Sequence, residues 1–269
     1  LEVAKWLVSL NAGVDVRACN DHAFRSACVH GHLEVAKWLV SLNAGVDVRA
    51  NNDHAFRWSC CWRGHLEVAK WLVSLNAGVD VRAQNDEAFQ NSCTNGHLEV
   101  AKWLVSLNAG VDVRAQNDEA FLCACAHGHL EVAKWLLSLD ACVDVRAEND
   151  QAFRHCCRNG YLKTAKWLLS LNAGVDVCAY DDDAFRSACA WGHLEVAKWL
   201  MSLNAGVNVR AQNDWAFRQS CAHGHLEVAK WLLSLNVGVV VHAENDEVLR
   251  CARALGHLEV VEWLMHAQA

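Results

Sequence analysis

The chain has 269 residues, 53% of them hydrophobic and 20% charged, with a formal net charge of −7. So much apolar material excludes a disordered chain, and an acidic balance with interspersed charges argues against a nucleic-acid backbone as partner, which needs a clustered basic face. No apolar run approaches the roughly 18 residues of a membrane span, and the 14 cysteines lack the basic-then-apolar leader of a secreted disulfide scaffold, so they read as reduced thiols of an intracellular protein.

The first predicted element is the block L-E-V-A-K-W-L at Leu1. It returns at Leu33, Leu66, Leu98, Leu130, Leu194 and Leu226, with degenerate copies at Leu162 and Leu258. The step is 32 every time but one. The exception, between Leu33 and Leu66, is 33, where C-C-W-R-G replaces C-x-x-G. A fixed period of this size is the signature of a repeat architecture. The chain begins in mid-motif without an initiator Met and stops inside a motif just after Trp263 and Leu264, so a fragment of a longer array is expected.

Each unit reads as two helices. The first is expected to start at an Asn-Asp pair, as at Asn20-Asp21, acting as an N-cap. Its constant Ala23, Phe24, Ala27 and Cys28 form one apolar stripe, and Gly31 ends it. The second helix, about Leu33 to Leu42, is apolar nearly all round, with Glu34 and Lys37 as a polar edge, so stacking between neighbouring repeats must cover it. The segment S-L-N-A-G-V-D-V-R-A after it reads as a loop with a short extended piece around Val46 to Arg49.

The expected fold is an all-α solenoid of stacked helix-turn-helix units in a single array over 1–269. An orphan second helix occupies 1–18, and about eight repeats begin near 19, 51, 84, 116, 148, 180, 212 and 244.

G-H-L-E-V-A-K-W-L followed by V-D-V-R-A resembles the second helix of an ankyrin repeat and the loop after it, along essentially the whole chain. The sequence departs from that pattern in opening the first helix with x-A-F-R, as at His22 to Arg25, in place of T-P-L-H, and in having no proline. In this it is similar to the divergent ankyrin arrays of large DNA viruses. Tetratricopeptide units have a close period, about 34, but no W-x-x-L-G-x-x-Y pattern is present.

Positions that repeat are explained by the fold; positions that change are where specificity can be written. The nine second-helix tryptophans, from Trp6 to Trp263, and the seven phenylalanines, from Phe24 to Phe217, are read as packing residues. Variation falls on either side of Asn-Asp: Gln84, Gln116 and Tyr180 before it, and His22, His54, Glu87, Glu119, Gln151, Asp183 and Trp215 after it. Trp58 varies two places after Phe, while Trp62 and Trp191 stand near the end of the first helix. The ankyrin resemblance implies that turns and first helices line a concave face that holds partners, and large aromatics are enriched at interface hot spots.

Two charge ladders accompany the period. Asp15, Asp47, Asp80, Asp112, Asp144 and Asp176 precede Arg17, Arg49, Arg82, Arg114, Arg146 and Cys178, the last pair being broken. Arg25, Arg57, Arg154, Arg186, Arg218 and Arg250 form the second ladder. Both read as solvated or mutually paired charge, with a striped binding face as the other reading.

Zinc at Cys123, Cys125, His127 and His129 is disfavoured, because residues two apart on a helix point to nearly opposite faces. The recurring Cys28, Cys93, Cys125, Cys157, Cys189 and Cys221 read as small apolar fillers. The histidines of the G-H pairs read as helix-start residues. No G-x-S-x-G, Gly-rich phosphate loop or H-E-x-x-H is present, so no catalytic site and no cofactor are expected.

The function expected is therefore a protein-interaction module: a monomer binding another protein, not nucleic acid or membrane. Its place is cytoplasmic or nuclear, or the host cytoplasm if the chain is viral. The alternatives are a structural spacer array whose effector lies elsewhere, and a metal or redox role for the cysteines.

Overall fold

The computed structural model describes residues 1–10, 13–139, 143–235, 238 and 245–267, and among these every regular element is an α-helix. After α1 (Glu2–Ser9) the helices alternate. The first helices are α2 (Ala18–Val29), α4 (Ala50–Cys61), α6 (Ala83–Thr94), α8 (Ala115–Ala126), α10 (Ala147–Arg158), α12 (Ala179–Ala190), α14 (Ala211–Ala222) and α16 (Asn245–Ala254). The second helices are α3 (Leu33–Ser41), α5 (Leu66–Ser74), α7 (Leu98–Ser106), α9 (Leu130–Leu139), α11 (Leu162–Ser170), α13 (Leu194–Ser202), α15 (Leu226–Ser234) and α17 (Leu258–Ala267). The chain is an all-α helical repeat solenoid. It divides into two compact units, Leu1–Ala124 with Glu131–Val143, and Cys125–Leu130 with Asp144–Ala269.

The stop signals work as their chemistry suggests. Gly31 adopts φ +76°, its N–H bonds Cys28 O at 3.1 Å, and the His32 N–H reaches back to Ala27 O at 2.8 Å. This glycine-based closure satisfies the orphan carbonyls of α2. The second helix ends on an asparagine: Asn43 is left-handed, φ +50°, and its N–H bonds Val40 O at 3.2 Å. The S-L-N triplet is thus a helix stop. In the 33-residue repeat the extra residue is absorbed at the end of α4. Trp62 stays right-handed, φ −70°, and the closing bond lengthens by one residue, the His65 N–H reaching Ser59 O at 2.8 Å.

The start of the first helix corrects the N-cap expectation. Asn51, Asn52 and Asp53 have φ of 58°, 55° and 57°, and the same left-handed triplet precedes the right-handed part of α2, α6, α8, α10, α12 and α14. One turn of left-handed backbone costs non-glycine residues about 1–2 kcal/mol each, least for Asn and Asp. Two side chains hold it. Asp53 is buried, 1% exposed; its Oδ1 accepts the Arg49 Nε–H at 3.1 Å, and its Oδ2 accepts the Asp80 N–H of the following repeat at 3.2 Å. Arg57 donates from Nε to Asn52 O at 2.7 Å and from Nη2 to Asn51 O at 3.1 Å. The aspartate is therefore a bridge between repeats and not a helix cap.

Both charge ladders are resolved by this turn. Arg17, Arg49, Arg82, Arg114, Arg146 and Arg210 each pair with the aspartate four residues on, Asp21 to Asp214, at 2.9–3.3 Å. Two residues before these arginines stands another aspartate, replaced by Asn208 in the case of Arg210. That earlier aspartate caps locally: Asp47 Oδ1 accepts the Arg49 N–H at 2.9 Å. Arg25, Arg57, Arg154 and Arg186 bond the carbonyls of their own left-handed turns, and Gln90 substitutes for them, reaching Asn85 O at 3.2 Å. The expected extended piece forms no strand among the described residues; it closes in a turn, the Ala50 N–H bonding Asp47 O at 3.2 Å.

The core lies between the helix layers. Phe24, Phe56, Phe89, Phe121, Phe153 and Phe185 are almost fully buried, each worth about 2–3 kcal/mol of apolar burial. Most constant tryptophans pack between repeats, but Trp6 does not meet the packing expectation: it is 59% exposed, on a helix with no buried residue. Phe24 meets Trp71, Phe56 meets Trp103 and Phe89 meets Trp135 in the first unit, and Phe153 meets Trp199 and Phe185 meets Trp231 in the second, with ring centroids 6.1–6.4 Å apart. The G-H pair has a packing reason beyond its turn. A Cβ on Gly192 would stand 2.5 Å from the His225 ring, and one on Gly31 2.4 Å from that of His65. Gly31, Gly64, Gly160, Gly192 and Gly224 each make room for the next repeat's imidazole, and Gly128 for the Tyr161 ring.

Candidate partner-binding face

The left-handed turn decides which side chains face outward. Within it the aspartate points inward, while the residue before Asn-Asp is left in solvent: Gln84, Gln116 and Tyr180 are all exposed. The residue after Asn-Asp opens the right-handed helix. There His22 is exposed, and His54, Glu87, Glu119, Gln151, Asp183 and Trp215 are half-buried.

In the first unit, α4 carries an aromatic series. The His54 ring stacks on Trp58 at 5.7 Å, and Trp58 meets Trp62 at 6.5 Å. Trp62, pushed outward by the inserted residue, is 58% exposed. Burial, reinforced by the charges of Arg25 and Arg57, holds the His54 imidazole below its ordinary pKa, and its Nδ1 is buried with no hydrogen-bond partner. Glu87 is engaged: its carboxylate pairs with the Arg57 guanidinium of the preceding repeat. Glu119 Oε1 accepts the Cys123 S–H at 3.0 Å.

In the second unit the variable aromatics rest on arginines that the sequence did not single out as their partners. Arg154 lies 4.5 Å over the Tyr180 ring, whose hydroxyl accepts the Asn149 Nδ2–H at 3.0 Å. Arg186 lies 5.2 Å from the Trp215 ring and donates to Gln212 Oε1 at 2.9 Å. Asp183 pairs with Arg154 at 3.0 Å. Trp191, 48% exposed, is sandwiched between Arg158, 5.4 Å away, and the stacked His223 ring at 5.6 Å. Trp58 and Trp62 are thus brought together, whereas Tyr180, Trp191 and Trp215 each sit in a separate cation–π contact. Trp191 belongs to the first-helix ends and not to the left-handed turns.

The cysteine column is buried: Cys28, Cys60, Cys93, Cys125, Cys157, Cys189 and Cys221 show no exposed surface. Burial pushes the Cys28, Cys93 and Cys221 thiols up to about 12, so they stay protonated and inert near neutrality. Among the described residues no group of three His, Cys, Asp or Glu side chains converges to hold a metal ion, and no helix is long and apolar enough to cross a membrane.

Two-helix units joined by capped loops, with an invariant interior and a variable outer edge, define a helical repeat scaffold. Residues 1–85, 58–147, 142–213 and 187–269 each match the family of ankyrin repeats (3 copies). Together they span the chain, which belongs to the ankyrin repeat family. No curated protein matches it.

Proposed function

We propose that this chain is a protein-interaction module that holds another protein along the face built by its left-handed turns and first helices. One observation carries the reading. In the repeats of α2 to α14 the residues flanking the Asn-Asp pair (Asp181-Asp182 in α12) change from repeat to repeat and reach solvent, while the second residue of the pair, always aspartate, stays buried. Each unit thus holds a variable edge on a repeated support, with His54, Trp58 and Trp62 as the aromatic group of the first and Tyr180 and Trp215 as anchors in the second. Its activity is binding and not catalysis, it acts as a monomer, and its partner is a protein and not nucleic acid or membrane.

Affinity capture from lysate, with captured proteins identified and then rebound in purified form, tests the reading. The parent is compared with a Trp58→Ala, Trp215→Ala pair and with a Gln84→Ala, Gln116→Ala pair, each checked for helicity by circular dichroism. A purified partner that binds the parent and loses at least tenfold in affinity to either pair supports the module. A partner equally bound by all three moves the site to another face, and the absence of any partner that rebinds favours a spacer array.

A further inference from the structure

One repeat breaks the arginine–aspartate rule, and the break leaves a shaped space. Where six repeats place an arginine four residues before the buried aspartate, the repeat of α12 has Cys178 before Asp182. Asp182 stays in place. It is 6% exposed, and its Oδ2 accepts the Asn208 N–H of the next loop at 3.1 Å, as its counterparts accept theirs. Its Oδ1, the oxygen that takes the arginine Nε–H elsewhere, has no hydrogen-bond partner.

The far wall of the space is independent of the aspartate. In five repeats the arginine Nη1 lies 3.4–3.6 Å from where a Cβ would stand on a loop glycine of the next repeat: Gly45, Gly78, Gly110, Gly174 and Gly238. The equivalent residue beyond Cys178 is Gly206, and nothing lies within 4 Å of that point. The side chain that ends at the Cys178 Sγ therefore leaves the guanidinium position empty between Asp182 and Gly206. The paired arginine side chains elsewhere are 41–48% exposed, so this position opens to solvent and can be reached from outside.

We infer that the Cys178–Asp182–Gly206 notch is a subsite for an arginine side chain of the partner protein, which completes in trans the pair that the other repeats make internally. This rests on the protein-interaction reading above. A guanidinium is the group whose shape and charge the same backbone holds in six other repeats, and its forked donors suit a carboxylate edge better than a compact ammonium does. A metal ion finds too few ligands here. Burial, then the hydrogen-bonding and charge of the adjacent Asp182 carboxylate, push the Cys178 thiol up to about 12, so it adds no second anion; its Sγ lies 3.4 Å from Ala205 O. The loop residue facing Asp182 is the neutral Asn208, where other repeats carry Asp47, Asp80, Asp112 and Asp176. The loop therefore adds no carboxylate beyond Asp182 and Asp176, the acid two residues before Cys178.

The test uses the full chain and two variants, Cys178→Arg, which fills the notch from within, and Asp182→Asn. The probes are N-acetyl-arginine methylamide, its lysine analogue and its citrulline analogue, at equal ionic strength, read by amide chemical shifts at Cys178, Asp182, Gly206 and Asn208. The expected result is a saturable shift with the arginine probe in the parent only, several-fold weaker with lysine and absent with citrulline, together with at least a tenfold loss of purified-partner affinity in Cys178→Arg. No arginine response in the parent, or the same response in Cys178→Arg, overturns the notch and leaves the binding-module reading standing. A response to the probe with partner affinity unchanged in Cys178→Arg overturns the partner's arginine as occupant.

Discussion

The Asp53 carboxylate joins two repeats: one oxygen holds Arg49 of its own turn at 3.1 Å and the other holds the backbone amide of Asp80 at 3.2 Å. The aspartate is the only member of the Asn-Asp pair with this double duty, and the left-handed turn exists to bring its carboxylate inward.

Asp53→Ala is therefore expected to cost about 2–3 kcal/mol, because it strands an amide and removes a charge-assisted bond at a buried site. Asp182→Ala strands the Asn208 amide in the same way but breaks no arginine pair, and is expected to cost less, about 1–2 kcal/mol. Urea unfolding midpoints measure both, and equal losses would show that the arginine contributes nothing.

Gly192 and Gly206 separate backbone strain from crowding. Both have positive φ, 79° and 84°. An alanine at Gly206 meets open space and is expected to cost about 1 kcal/mol for its left-handed backbone. At Gly192 its methyl falls 2.5 Å from His225 Nδ1, so the imidazole must move, and a total of about 2–3 kcal/mol is expected. Thermal unfolding of the two variants decides it; a smaller loss at Gly192 would be inconsistent with the imidazole packing seen there.

Stability should fall on mild acidification. Burial holds His65, His193 and His225 below the ordinary histidine value of 6.5. On acidification the unfolded chain takes up protons at 6.5, before the folded chain does. The contribution of these histidines is thus complete above about pH 6.5 and is lost as pH falls toward their folded values. The melting temperature should be flat between about pH 7.5 and 7 and drop by about pH 5.5, above the main carboxylate range. His193→Gln should show a shallower drop; an unchanged slope would remove histidine as the cause.

Much of this was legible from period alone. The 32-residue step located the helix pairs, the phenylalanine column and the glycine stops, because identical positions in identical units face identical neighbours. The N-cap reading of Asn20-Asp21 failed because Asn and Asp suit both a cap and left-handed backbone, and only the three-dimensional partners separate the two. A signal was present: an arginine four residues before the aspartate recurs as faithfully as the one two residues after another aspartate. The arginine supports beneath Tyr180, Trp191 and Trp215 were not legible, because cation–π contacts between neighbouring repeats depend on which outward positions the helices bring side by side. The empty guanidinium position needed both views. The broken ladder at Cys178 is visible in the sequence, but the uncovered oxygen and the open glycine are not.

For Asp21, Asp53, Asp86, Asp150 and Asp182 the inward carboxylate takes a backbone amide from the following loop, so those repeats do not contain all the bonds that define their own turns. An isolated period is thus expected to be a poor folding unit, and neighbouring periods to melt as coupled neighbours. Array length becomes a thermodynamic variable: excising one whole period removes one coupling and restores the register, whereas a cut between a turn and the loop after it leaves a buried anion facing solvent.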